Sequence, residues 1–361
     1  MPPAMPAPLA PVPSFKFLGH AGAVLALCVH GEADNETIVA ADAAGTVRLW
    51  SVRQHGDFSG IRDHVAPISS LVFSSLVILD DKVLASGSHD KTVRVWDAQG
   101  TVPRMLLAGH TGAVTSVTFA PMQKLIASGS YDGTVRLWEP GNSKELATLA
   151  PHMGPVLAVG LAPDGKSLVA GSTSMSFQGG ELKIWDPATH KERGILPVHQ
   201  DVVSSIAFAP DGRTFASGSH DGTVQLFEPW TGIRRGVLAD KAAVEALAFA
   251  PDGKQIAVST HARVVKLWDV VAKEEKRTFA GLTALCKSLS FSPDGQWLAG
   301  TQPDGRVLVW NTGTGEARDW KLPGPVQAVA FAPDSRHLAT GNANGTIYIL
   351  RLAEAPKRGK K

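Results

Sequence analysis

Ala85-Ser-Gly-Ser-His-Asp-Lys-Thr-Val-Arg-Val-Trp96 recurs as Ala127-Ser-Gly-Ser-Tyr-Asp-Gly-Thr-Val-Arg-Leu-Trp138 and again as Ala216-Ser-Gly-Ser-His-Asp-Gly-Thr-Val-Gln-Leu-Phe227. Weaker copies end at Trp50, Trp185, Trp268, Trp310 and Leu350. The eight end points are spaced 46, 42, 47, 42, 41, 42 and 40 residues apart. A period near 40–45 residues, with three β-like runs in each copy, is the signature of a four-stranded propeller blade.

Around each copy the strand signals fall in a fixed order. Val114 to Ala120 alternates as a first strand, Lys124 to Ser130 as a second and Thr134 to Trp138 as a third. Pro163-Asp-Gly165, Pro210-Asp-Gly212, Pro251-Asp-Gly253 and Pro293-Asp-Gly295 separate the first two strands. Proline presets φ, aspartate bonds its own backbone and glycine tolerates positive φ, so each triplet is a turn. A fourth, outer strand is read in segments such as Arg104 to Leu107.

Composition agrees with a packed all-β chain. The 361 residues are 44% hydrophobic and 19% charged, with 36 glycines and 24 prolines. The formal net charge of +2 gives no broad basic surface, so nucleic acid is not an expected partner. Cys28 and Cys286 lie in apolar runs and read as free thiols, without a disulfide framework or zinc spacing. Residues 1–13 read as a Pro/Ala-rich lead-in, 14–353 as one domain and 354–361 as a basic tail. Met1 to Pro13 has no basic segment followed by an apolar core, and no apolar run is long enough to span a bilayer. A cytoplasmic protein is therefore expected.

From about Ser14 to Leu352 the chain resembles the WD40 repeat family. Gly19-His20 and Gly109-His110 match its repeat start, and Trp96-Asp97, Trp185-Asp186 and Trp268-Asp269 match its namesake dipeptide. The resemblance implies a closed β-propeller of eight four-stranded blades, or seven if the weak first or last copy is irregular. It implies that Ser14 to Leu18 completes the last blade, which removes an open sheet edge. It also implies buried tetrads at His64, Ser86, Asp90 and Trp96, and at His110, Ser128, Asp132 and Trp138. A third, His199, Ser217 and Asp221, has Phe227 in place of tryptophan. Ala44, Gly179 and Ala262 stand where the aspartate is expected, and Asp240 where the histidine is, so those blades are expected to rely on packing.

The resemblance further places the residue before the tetrad aspartate on the rim of the top face. His89, Tyr131, Gln178, His220, His261 and Pro303 hold that position. Ser69, Thr115, Leu157, Ser204, Glu245 and Gln327, early in the first strands, are expected to face the same way. Independently of the family, Ser172 to Gly180 is a longer loop that carries Met175 and Phe177 in a polar stretch, either as a partner anchor or folded onto its own blade. Leu76 to Lys82 is a second insertion, on the opposite face. His220 and His261 are set aside as a metal pair because the sequence shows no third ligand. Trp230 and Trp320 are expected to be partly buried against outer strands, and Lys273 to Arg277 to be a solvated turn.

No nucleophile elbow, phosphate-binding glycine loop or metalloprotease motif is present. The expected function is thus non-catalytic: a scaffold without cofactor or metal that binds another protein through its top face. Two alternatives stay open at this point. One is a sensor module of a larger effector system, and the other an enzyme that uses the central channel.

Overall fold

The computed structural model describes residues 13–352, apart from 19, 31–36, 52–55, 63, 77–80, 98–102, 121–124, 140, 174–178 and 240. Among the described residues, 32 strands run from β1 (Pro13–Phe17) to β32 (Ile347–Arg351). They form eight antiparallel sheets of four. In blades 1 to 7 the four strands follow one another in sequence, from the axis outward. The insertion at Leu76 to Lys82 lengthens a hairpin, with Ser75 opposite Lys82 and Leu76 opposite Asp81.

The first strand of each sheet contacts the first strand of the next, and the eighth returns to the first. These inner strands, such as β18 (Val203–Phe208) and β22 (Val244–Phe249), are half-buried along the axis. The second and third strands are covered on both faces by neighbouring blades; β11 (Leu125–Ser130) is buried at every residue. That explains their unbroken apolar and small-residue runs.

The repeated end residue has one role throughout. Trp138 packs with Val83, Val95 and Leu107 of the preceding blade, and Trp185 packs with Leu125, Leu137 and Leu149. Trp50, Trp96, Phe227, Trp268, Trp310 and Leu350 occupy the corresponding seams. The glycine of Ala-Ser-Gly-Ser keeps these seams narrow. A Cβ on Gly129 would lie 2.5 Å from Val159 and 2.6 Å from Val156 of the next blade.

The ring closes on the eighth sheet. β1 pairs antiparallel with β32, from Pro13 opposite Leu350 to Phe17 opposite Ile347. Phe17 then enters the seam between the last and first blades, with Val24, Ile38, Trp50, Ala339 and Ile349. Trp320 is buried, but Trp230 is 57% exposed. Its ring lies under the guanidinium of Arg193, on the outer strand of the neighbouring blade, 3.8 Å from ring centre to carbon. Trp230 is thus partly covered against an outer strand, through a cation–π contact.

Candidate functional site

The buried polar network sets the geometry from which any surface site is built. In blade 2, His64 Nδ1 lies 2.7 Å from Asp90 and Nε2 2.8 Å from Ser86, while Trp96 Nε1 donates to Ser86 at 2.8 Å. Blade 3 repeats this with His110, Asp132, Ser128 and Trp138, at 2.9, 2.8 and 2.8 Å. The carboxylate can only accept, so Nδ1 donates to it. In the neutral ring Nε2 then accepts the serine proton, and the serine oxygen accepts the indole N–H. Burial lowers the pKa of His110 and outweighs the raising effect of Asp132, which fits the neutral ring. Blade 5 keeps His199, Asp221 and Ser217 but seats Phe227 in the seam, so no indole N–H has to be satisfied.

Of the blades expected to lack the pair, one retains it by other means and one brings a carboxylate close without bonding it. His20 Nδ1 meets Asp42 at 2.9 Å, two residues before Ala44, and the other Asp42 oxygen accepts from the Ala44 and Thr46 backbones. In blade 4, Glu181 lies 2.9 Å from His152 Nδ1. A displaced carboxylate thus bonds the histidine of blade 1, and a longer one stands beside that of blade 4 without a hydrogen bond. Asp240, the residue at the histidine place of blade 6, lies outside the described residues. In blade 7, Gln302 Oε1 accepts from Thr283 and from the Ala284 backbone instead.

Blade 4 leaves an identifiable gap. Ala170 stands where blades 2, 3 and 5 have serine, and His152 Nε2 and Trp185 Nε1 are buried without a hydrogen-bond partner, as is His152 Nδ1. Burial, and then Lys183, push His152 down to about 3, so its ring is neutral and Nε2 has an idle lone pair. Ala170→Ser is expected to supply both groups at once and to stabilise the protein by about 1 kcal/mol. Calorimetry would show a raised Tm; a lowered one would mean that the hydroxyl does not fit.

The rim is defined by one repeated bond. The backbone N–H groups of His89, Tyr131, His220 and His261 each donate to a carbonyl just before the first strand, those of Pro67, Ala113, Val202 and Ala243. In blade 4 that bond is made by Thr173 to Pro155. Gln178, Met175 and Phe177 lie outside the described residues. His89, Tyr131 and His261 are exposed, and His220 and Pro303 half-buried.

The inner-strand residues divide into two groups. Ser69, Thr115 and Ser204 donate to carbonyls of their own blade and of the next; Thr115 reaches Val156 and Ser204 reaches Val244, both at 2.7 Å. These hydroxyls clasp adjacent blades, a role the sequence reading missed because it links strands about forty residues apart. Leu157 and Gln327 are half-buried at the same level. Glu245 makes no clasp and lies 3.2 Å from His261 Nε2. His220 stacks obliquely on His261, ring centres 5.4 Å apart. The structure therefore gives the histidine pair the carboxylate neighbour that sequence reasoning did not find.

Burial raises the thiol of Cys286 to about 12, and that of half-buried Cys28 likewise, so neither is a thiolate at neutral pH. No helix among the described residues is long and apolar enough to cross a membrane.

Comparison with known proteins follows the same repeat. The chain is similar to Coronin-7 of Pongo abelii, 34% identical over 95 residues that cover 24% of this chain and 10% of that protein. It is similar to a guanine nucleotide-binding protein subunit beta of Zea mays, 35% identical over 78 residues, 21% of this chain and 20% of that one. To the Protein LST8 homolog of Drosophila melanogaster it is 27% identical over 100 residues, 25% of this chain and 32% of that one. The matched stretch is thus at most a third of each of these relatives. The crystal structure of the computationally designed Ika8 protein superposes with a TM-score of 0.79 over 92% of this chain and 98% of that one, at 24% identity, a likeness of fold. The family described as "WD domain, G-beta repeat" matches residues 11–51, 59–97, 101–139, 143–186, 190–228, 235–269, 273–311 and 319–350. With eight matched repeats on eight observed blades, the chain belongs to the WD40 repeat family.

Proposed function

We propose that this propeller is a non-catalytic scaffold that receives another protein on the rim carrying His89, Tyr131, His220 and His261. The observation that carries this reading is Tyr131. It is 52% exposed, yet its backbone is tied to Ala113 and the next residue, Asp132, is anchored in a buried tetrad. An aromatic side chain presented from a rigid frame loses little entropy on binding, and such residues are favoured anchors of protein interfaces. The His–Asp pairs that could suggest catalysis are bound inside blades by serine and tryptophan, which assigns them to the frame. One similar protein is by its name a subunit, which supports a role in assembly. A cytoplasmic location belongs to the same reading.

The test is capture of partners by the wild type, by Tyr131→Ala with His89→Ala, and by Val271→Ser. Val271 is 81% exposed in a turn between third and fourth strands, at the opposite end of the blades. Loss of a specific partner by the rim variant, with retention by the Val271 variant, is expected. The reverse pattern would place binding on the other face.

A further inference from the structure

We propose that His220, Glu245 and His261 form a divalent transition-metal site at the rim, bridging blades 5 and 6. One potential ligand atom from each of the three side chains lies within 4.8 Å of the others. They come from separate elements: His220 follows the second strand of blade 5, His261 the second strand of blade 6, and Glu245 sits on the inner strand β22. A tetrahedral zinc ion with ligands at about 2.0–2.1 Å holds its ligand atoms about 3.3 Å apart. Glu245 and His261 already stand at 3.2 Å. Only the His220 ring has to close in, by side-chain rotation from its half-buried place.

The frame around the three residues is fixed before any ion arrives. The backbones of His220 and His261 are held by the rim bonds to Val202 and Ala243, at 3.0 and 2.8 Å. His220 lies between Ser219, which donates to the Asp201 carbonyl, and Asp221, which holds His199. With both backbones held, ion binding costs only side-chain freedom.

The position of Glu245 gives an independent argument. In blades 2, 3 and 5 its counterpart is a serine or threonine that clasps the next blade. A carboxylate cannot donate that bond. The seam from blade 6 to blade 7 is instead held by Ser259, whose hydroxyl reaches the Cys286 carbonyl at 2.7 Å. Glu245 is therefore free of the structural duty of its repeat position, and its carboxylate is directed to His261.

Two imidazoles and one carboxylate suit zinc and related borderline ions. Three protein ligands also leave a fourth position for water or for a side chain of a docked protein. The binding of the ion itself does not depend on any partner.

The test is titration of the metal-free protein with Zn2+ by calorimetry and with Co2+ by visible absorption, whose intense bands report four-coordinate geometry. His220→Ala, His261→Ala and Glu245→Gln are compared, each checked for folding by circular dichroism. One ion per chain, weakened at least tenfold in all three variants, is the expected result. No binding by the wild type would overturn the proposal, as would affinity unchanged in all three. Loss in the histidine variants alone would leave a two-ligand contact and would also overturn it.

Discussion

Deletion of residues 1–17 is expected to open the ring and to cost more stability than any single substitution in a blade. β1 is the outer strand of the eighth sheet, and its removal leaves one edge of β32 without a ladder. It also removes Phe17, whose ring lies 5.5 Å from Trp50 across the seam between the last blade and the first. Loss of a buried phenylalanine alone costs about 3–5 kcal/mol through lost transfer energy and the cavity left behind. The unpaired edge then offers a template for pairing with another chain. Thermal unfolding with size-exclusion chromatography should show a lower Tm and larger species. A peptide of residues 13–18 added in trans should partly reverse both. A truncated chain that melts with the wild type and stays monomeric would show that β1 does not close the ring.

The architecture was legible because each blade repeats one solution. Trp96, Trp138 and their counterparts mark the seam, and Ala-Ser-Gly-Ser marks the double burial beside it. The tetrads at His64 and His110 and the triad at His199 could be read residue by residue, since each member sits at a constant offset. What escaped was whatever broke that offset. Asp42 replaces a carboxylate at position 44, because a side chain can reach its histidine from more than one backbone position. Glu181 comes close in blade 4 with one more methylene, without a hydrogen bond. The Ser/Thr clasps escaped because they join blades rather than strands of one hairpin. The meeting of Glu245 with His220 and His261 depends on the curvature of the ring, which no local pattern encodes.

The substitution of blade 1 also makes the tetrad testable as an exchangeable device. Asp132 accepts from His110 Nδ1, from the Thr134 backbone and hydroxyl, and from the Thr111 backbone. Burial alone would raise its pKa; the bonds from Thr134, Thr111 and His110 outweigh that and hold it well below the usual carboxylate range. A depressed carboxylate contributes stability that is present above its ordinary value of 3.8 and is lost as pH falls through the lower, folded value. Asp132→Ala should therefore destabilise by about 3 kcal/mol at neutral pH, because His110 and the Thr134 groups lose their acceptor in a buried place. The deficit should shrink on acidification below the ordinary carboxylate value, where the wild type loses the same bonds. Ser130 occupies in blade 3 the place that Asp42 occupies in blade 1. Adding Ser130→Asp to Asp132→Ala should thus let a carboxylate reach His110 from two residues earlier and recover part of the loss. Denaturant unfolding of wild type, both single variants and the double variant gives the coupling between the two positions. A positive coupling would establish that the histidine needs an acceptor rather than a particular residue position. A double variant no more stable than Asp132→Ala would show that the backbone of blade 1, and not its carboxylate, makes the displaced arrangement possible.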